Sequence, residues 1–198
     1  MATFPISEWQ EFRPDTGNDS ILITSDNQSI AWHQNVTTSD VMREVIEATT
    51  APLDIDDTRS IETFLKSVRS RNVFTLRLYG PYYEYRGTLN NPNNVFRVNG
   101  EFEAGDAIIS LTAMPTLNTM PNGTYVQFGN HSKVYQVIAT SGMNMTILPT
   151  LREDVPSNTS IKLSNIDGEF RLENGGYSGS YSHHRRMTYN FRFIEELV

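Results

Sequence analysis

Two adjacent histidines, His183 and His184, are the first residues in this sequence that could bind a metal ion. Adjacent residues of a strand point to opposite faces, and no third ligand follows at helical spacing. Arg185 and Arg186 come next, so the SHHRR stretch is a positive spot on an acidic chain. We expect no metal here, and the stretch is either a solvated turn or a contact with an acidic neighbour.

Three aspartates, Asp54, Asp56 and Asp57, are spaced as in the first half of a calcium loop. The glycine at the sixth position and the glutamate at the twelfth position of an EF-hand loop are missing. An acidic residue that precedes a helix can instead accept hydrogen bonds from the free backbone N–H groups of the first turn. We therefore predict that this cluster caps a helix.

The stretch YGPYYEYRG concentrates four tyrosines, Tyr79, Tyr82, Tyr83 and Tyr85. Tyrosine provides a large contact area at low cost in side-chain entropy, so the group could be a sugar-stacking platform or a subunit interface. Packing at the junction of two modules would explain it equally well. All three interpretations stay open at the level of sequence.

Composition and motifs argue against several classes of protein. The chain has no cysteine, which excludes disulfides, thiol nucleophiles and zinc–thiolate sites. A net charge of −7 does not favour nucleic-acid binding, which requires clustered lysine and arginine. There is no nucleophile elbow, phosphate-binding glycine loop or paired histidine and carboxylate signature. We predict a protein that is not an enzyme, with no catalytic residues and no cofactor.

The sequence also predicts that the protein does not enter a membrane. No apolar stretch approaches the roughly 20 residues that cross a bilayer. The first residues, MATFPISEWQEF, have neither a basic segment nor an apolar segment of a signal peptide. We expect synthesis as a soluble chain in the cytosol.

The elements that must position these residues are mainly strands. Short apolar runs alternate with turn residues about every ten positions, which is typical of an all-β protein. The exception is DDTRSIETFLKSVRSRN, where Ile61, Phe64, Leu65 and Val68 follow helical spacing, so we predict a helix over 58–71. The next stretch, VFTLRLYG, alternates as a half-buried strand does.

Further strands are predicted from short alternating runs. The tail MTYNFRFIEELV has the strongest alternation, which predicts a strand that closes the sheet of the first module. Helix propensity favours a helix for VMREVIEATTAPL, although its alternation also fits a strand. The remaining predicted strands are Val95–Val98, Ala107–Leu111, Tyr125–Phe128, Val134–Ala139, Met145–Leu148 and Ile161–Leu163.

One long stretch resembles a known family. The run SKVYQVIAT…MNMTILPTLREDVPSNTSIKL resembles a segment of the distal tail proteins of long-tailed bacteriophages, in which a lys-leu-tyr-x-val strand precedes thr-ile-x-pro-x-leu-arg and a pro-x-asn/gly-thr turn. The segment ETFLKSVRSRNVFTL resembles the helix and the following strand of that family, and FEAGDAI through YVQFGNHSKVYQV resembles part of its inserted barrel. GEFRLENGG and YNFRFIEEL resemble its final strands. The positions that match the motif are Lys133, Tyr135, Val137, Thr146, Ile147, Pro149, Leu151, Arg152, Pro156, Thr159 and Ile161.

The resemblance implies a mainly β fold: a β-sandwich with one flanking α-helix and an inserted small β-barrel of oligosaccharide/oligonucleotide-binding type. It favours a strand in VMREVIEATTAPL, against propensity. The module boundaries that we predict are 1–88 plus 166–198 for the sandwich and 89–165 for the barrel.

The resemblance also implies a function. The expected protein is a structural component of the phage tail tip, located in the virion and non-catalytic. It forms a ring, hexameric in the family, that joins the tail tube protein to the baseplate hub protein and the host-binding apparatus, where a tail fibre or receptor-binding protein is a further candidate partner. The alternative is a carbohydrate-binding module built on the tyrosines of 79–85. Candidate interface residues are Tyr79, Tyr82, Tyr83, Tyr85, His183, His184, Arg185 and Arg186.

Overall fold

A computed structural model describes residues 2–5, 8–14, 44–68, 73–80, 82–87, 96–112, 120–181 and 186–196, without the side chains of 174–176. Two six-stranded sheets form the fold, which is mainly β. The first sheet belongs to a β-sandwich with a flanking helix, and the second curls into a small barrel. The fold class predicted from the sequence is confirmed.

The first sheet has the order β1-β4-β11-β12-β3-β2. Its pairs are antiparallel except for the parallel pair of β1 and β4. The strands are β1 (Ala2–Thr3), β2 (Trp9–Pro14), β3 (Val45–Thr50), β4 (Phe74–Arg77), β11 (Asp167–Tyr181) and β12 (Met187–Glu195).

The helix α1 (Ile55–Val68) packs against one face of the first sheet through Ile61, Phe64 and Val68. These residues belong to the predicted apolar stripe. The helix begins three residues earlier than predicted, because Asp54 accepts hydrogen bonds from Asp56 N and Asp57 N, both at 2.9 Å. The predicted capping role of the aspartate cluster is therefore confirmed. Residues 69–72, at the predicted end of the helix, lie outside the described residues.

Aromatic side chains fill the space between α1 and this sheet. Phe4 makes edge-to-face contacts with Phe64 and Phe193, at ring-centroid distances of 5.1 and 5.3 Å. Trp9 stacks on Phe4 at 5.4 Å. Aromatic pairs of this kind stabilise a core beyond the effect of buried area alone. The beginning of the chain, which the predicted boundaries assign to the sandwich but for which no strand is predicted, thus contributes two rings to the core.

The second sheet has the order β5-β10-β7-β8-β9-β6 and curls around its own core. Its edge strands meet where Asn99 N donates to Ser110 O at 2.8 Å and Thr112 N donates to Arg97 O at 2.9 Å. All six predicted strands of this part are confirmed, within two residues at each end. They are β5 (Phe96–Arg97), β6 (Ile108–Ser110), β7 (Tyr125–Phe128), β8 (Val134–Ser141), β9 (Asn144–Leu148) and β10 (Ser160–Lys162).

The chain leaves the first sheet after β4 and returns to it at β11. Leu78 N donates to Ile166 O at 2.9 Å, so the two crossing points are adjacent. In sequence, the barrel is therefore inserted between Leu78 and Ile166, two residues that are hydrogen-bonded to each other. The division into two modules that fold independently remains a prediction.

Candidate functional site: the seam between sandwich and barrel

The four predicted tyrosines do not share one surface. Tyr82 is 54% exposed, whereas Tyr83 is only 3% exposed. Tyr79 packs partly against the sandwich core, and Tyr85 packs partly against the barrel core. Tyr83 thus contacts the interior of the chain rather than a partner, and Tyr82 is the member of the group that presents most of its side chain to solvent.

The second predicted interface group falls mostly outside the description. His183, His184 and Arg185 are not among the described residues. Arg186, which directly precedes β12, is exposed. Arg186 is therefore the residue of this group whose surface position the structure gives.

The buried tyrosine leads to a polar seam between the sandwich and the barrel. Its central residue is Glu195, at the end of β12, which is 1% exposed. Glu195 Oε2 accepts hydrogen bonds from Lys133 Nζ and from Glu44 N, the latter at 3.0 Å, and Oε1 accepts from Val134 N at 3.2 Å. The carboxylate therefore holds a lysine and a backbone amide of the barrel.

A second carboxyl group, that of Glu44, lies directly before β3. Its Oε1 accepts hydrogen bonds from Tyr83 Oη at 2.5 Å and from Tyr125 Oη at 3.3 Å. Tyr125 belongs to the barrel, and its ring contacts that of Tyr83 at a centroid distance of 4.6 Å. The seam thus contains two carboxyl groups, one ammonium group and two phenols, which we call the polar seam: Glu44, Tyr83, Tyr125, Lys133 and Glu195.

Burial determines the electrostatics of the polar seam. The pKa of Glu44 is raised from 4.5 to about 7, first because burial penalises its charged form and also because Glu195 is nearby. The hydrogen bond from Tyr83 and the charge of Lys133 act in the opposite direction. Burial and the adjacent Glu44 raise the pKa of Tyr83 as well, so this phenol stays a hydrogen-bond donor.

The sequence analysis did not predict that Glu44, Lys133 and Glu195 form a site. One feature of the sequence does point to Glu195. The inward positions of β12 include Tyr189, Phe191 and Phe193, and the same period places Glu195 inward. A carboxylate at an inward position predicts a buried partner. The partner, 62 residues away, could not be identified from this pattern.

A histidine lies close to the seam in the hairpin between β7 and β8. The His131 ring packs against Phe128 and Tyr135, at centroid distances of 5.7 and 5.5 Å. Neither ring nitrogen has a hydrogen-bond partner among the described residues. Burial lowers the pKa of His131, which favours its neutral form.

A groove of about 420 Å³ crosses the outer face of the first sheet. The charged side chains that line it form ion pairs with one another: Arg13 with Glu47 at 3.1 Å, and Arg192 with Glu173 at 2.9 Å. Both arginines of the groove therefore have carboxylate partners on neighbouring strands. This face is a solvated network of ion pairs.

The outer face of the barrel has a different character. Its neighbouring strands β6, β9 and β8 contain no charged residue. Three aliphatic side chains on them are exposed, Ile108 at 58%, Ile138 at 45% and Leu148 at 39%. We call this the uncharged barrel face.

No group of three or more histidine, aspartate or glutamate side chains in the described ranges is placed to hold a metal ion. No helix within those ranges is long and apolar enough to cross a membrane. A comparison of the sequence with protein-family models and with curated proteins found no match.

Proposed function

We propose that this protein is a structural component of a bacteriophage tail tip, whose subunits form a ring between the tail tube and the baseplate hub. The observation that supports this most is strand β3. Helix propensity favours a helix for this segment, although its alternation also fits a strand, whereas the resemblance to distal tail proteins favours a strand. The resemblance thus predicted a local structure that propensity did not favour, and this supports the proposal more than the matching residues alone do.

The order of the elements supports the same proposal. The resemblance implied a helix followed by a strand, then a barrel, then closing strands. The chain has α1, β4, the barrel strands, β11 and β12 in that order. The proposed partners are further copies of this chain in a hexameric ring, the tail tube protein, the baseplate hub protein and a tail fibre or receptor-binding protein. The proposed location is the virion.

The surface is compatible with assembly. A closed ring requires two different faces of each subunit to meet. Copies that carry a net charge of −7 repel one another, so contacts are favoured where negative charge is absent or where positive charge meets it. The uncharged barrel face and the region of Arg186 satisfy these two conditions, and Tyr82 adds an exposed ring.

The alternative, a carbohydrate-binding module, has less support. Sugar stacking uses the open faces of aromatic rings, and Tyr83 is buried in the polar seam. Tyr82 alone of the group is mostly exposed. Glycan binding that is lost in Tyr82→Ala would nevertheless favour the alternative.

Solution mass tests the proposal. Native mass spectrometry and negative-stain microscopy of the purified chain, alone and with its tube partner, should show ring-shaped multiples of the 22.5 kDa subunit. A monomer that persists at high concentration in the presence of the tube protein would contradict it.

The second test concerns the positively charged segment SHHRR that precedes β12 in the sequence. Arg185→Glu combined with Arg186→Glu should weaken ring assembly, most at low salt, because the charges that attract a neighbour's carboxylates are reversed. Thermal stability of the monomer should remain nearly unchanged. Assembly is measured by analytical ultracentrifugation over a range of salt concentrations.

A matched control changes the net charge equally at another place. Arg59→Glu with Lys66→Glu alters two exposed positions of α1. If Arg59→Glu with Lys66→Glu and Arg185→Glu with Arg186→Glu weaken assembly equally, net charge alone is responsible. If the Arg185 and Arg186 double variant assembles as strongly as the parent at every salt concentration, the SHHRR segment lies outside the interface.

A further inference from the structure

The two carboxyl groups of the polar seam are neighbours in the sheet. In the ladder of β12 and β3, Ile194 pairs with Val45, and the next hydrogen bond runs from Glu195 N to Glu44 O at 2.9 Å. Glu195 and Glu44 are therefore opposite each other on adjacent strands. Like charges in this arrangement are destabilising.

Among the described residues of the barrel, Lys133 is the one that supplies a positive charge to these two carboxyl groups. Lys133 Nζ donates to Glu195, and Lys133 is itself 9% exposed. The other seam contacts from the barrel are neutral, namely the Tyr125 hydroxyl and the backbone N–H of Val134. The seam is balanced in charge only when one of its two carboxyl groups is protonated.

We propose that the polar seam is a protonation-controlled lock, which holds the barrel on the sandwich while Glu44 is neutral and releases it when Glu44 is ionised. With Glu44 neutral, Lys133 and Glu195 form a balanced pair, and Glu44 Oε1 still accepts from both phenols. With Glu44 ionised, the seam carries an excess negative charge out of water, and Glu44 competes with Glu195 for Lys133.

The direction of the pH dependence follows from the same groups. The groups that face Glu44 are Tyr83, Tyr125, Lys133 and Glu195, and their combined effect with burial raises the pKa of Glu44 from 4.5 to about 7. Between pH 4.5 and about 7, Glu44 therefore stays protonated in the locked state, whereas a solvated glutamate is ionised. The stabilisation of the lock is present at low pH and is lost as the pH rises from 4.5 through about 7.

The orientation of the barrel can be measured directly because the chain has no cysteine. Spin labels would be attached at Thr63→Cys on α1 and at Met143→Cys in the β8–β9 turn, both exposed positions. Double electron–electron resonance should give a narrow distance distribution at pH 5.5 and a broader one at pH 8.5. The change should fall between pH 4.5 and about 7, with no further change above that range.

Substitutions identify the responsible group. Glu44→Gln keeps an oxygen for both phenols without the charge, so its distribution should stay narrow at both pH values. Glu47→Gln, on the outer face of β3 in the pair with Arg13, is the matched control and should behave like the parent. Circular dichroism confirms that each variant is folded.

A second variant keeps the test decisive if Glu44→Gln does not fold. Tyr83→Phe removes the hydrogen bond that most favours ionised Glu44, so the loss of the lock should continue to higher pH than in the parent. Equal distributions of the parent at both pH values would overturn the proposal. So would a pH change that persists in Glu44→Gln, which would assign it to another group such as His131. A change in Tyr83→Phe that ends at the same pH as in the parent, or at a lower pH, would overturn it too.

Discussion

At the scale of single residues, the buried pair of Lys133 and Glu195 is the contact with the largest expected effect on stability. Removing one partner of a buried ion pair leaves an uncompensated charge, which costs about 3–5 kcal/mol. We predict a loss of this size for Lys133→Met, because Glu195 is 1% exposed and also lies opposite Glu44. Urea denaturation followed by circular dichroism measures the free energy of unfolding.

The double variant Lys133→Met with Glu195→Leu should recover much of that loss, because no buried charge stays without a partner. The exposed pair of Arg13 and Glu47 is the control, and Glu47→Gln should change stability by less than about 1 kcal/mol. A loss in the double variant equal to the sum of the two single losses would show that the two charges are not coupled.

These residues also show where sequence reasoning ends at this scale. The inward position of Glu195 follows from the period of β12, and that of Glu44 follows from Ile46 and Ala48 on β3. That Glu195 pairs with Lys133 while Glu44 accepts from Tyr125 depends on how the barrel docks. No local pattern contains this information, since the three residues are distant in sequence.

At the scale of elements, the helix and most strands could be predicted from the period of apolar residues. Strand β3 could not, since its residues fit both periods, and its pairing with β12 and β2 decides the outcome. Strand β11 runs through a bulge between Leu172 and Tyr177, which interrupts the regular alternation. The family resemblance, through GEFRLENGG at 168–176, indicates only the first part of this long strand.

Asp54 caps the N-terminus of α1. Asp54 Oδ1 accepts from two backbone N–H groups of the first turn, so Asp54→Ala should destabilise the protein by about 1 kcal/mol. Asp54→Asn keeps an accepting oxygen and should lose much less. The check is the thermal midpoint of both variants, and equal losses would show that the charge of Asp54, rather than its hydrogen bonds, stabilises the helix.

At the scale of the whole molecule, two observations concern the relation between the two modules. Each sheet has its own hydrophobic core, which favours separate folding. Val134 of the barrel, however, packs in the sandwich core, and Lys133 pairs with Glu195 of the sandwich. The sandwich can fold without the barrel only if its own core stabilises it more than the loss of these contacts destabilises it.

Deletion of the barrel tests this directly. Residues 90–165 would be replaced by a short Gly-Ser linker, which can close because Leu78 and Ile166 are hydrogen-bonded neighbours. Without the barrel, Glu195 gains access to water, so the loss of Lys133 should cost far less than it does in a buried seam. We predict a folded sandwich with one cooperative thermal transition, at a lower temperature than the parent because the contact with Val134 is lost. A chain that is unfolded by circular dichroism, both with Glu195 and with Glu195→Gln, would show that the sandwich requires the barrel and that the division into two independent modules is wrong.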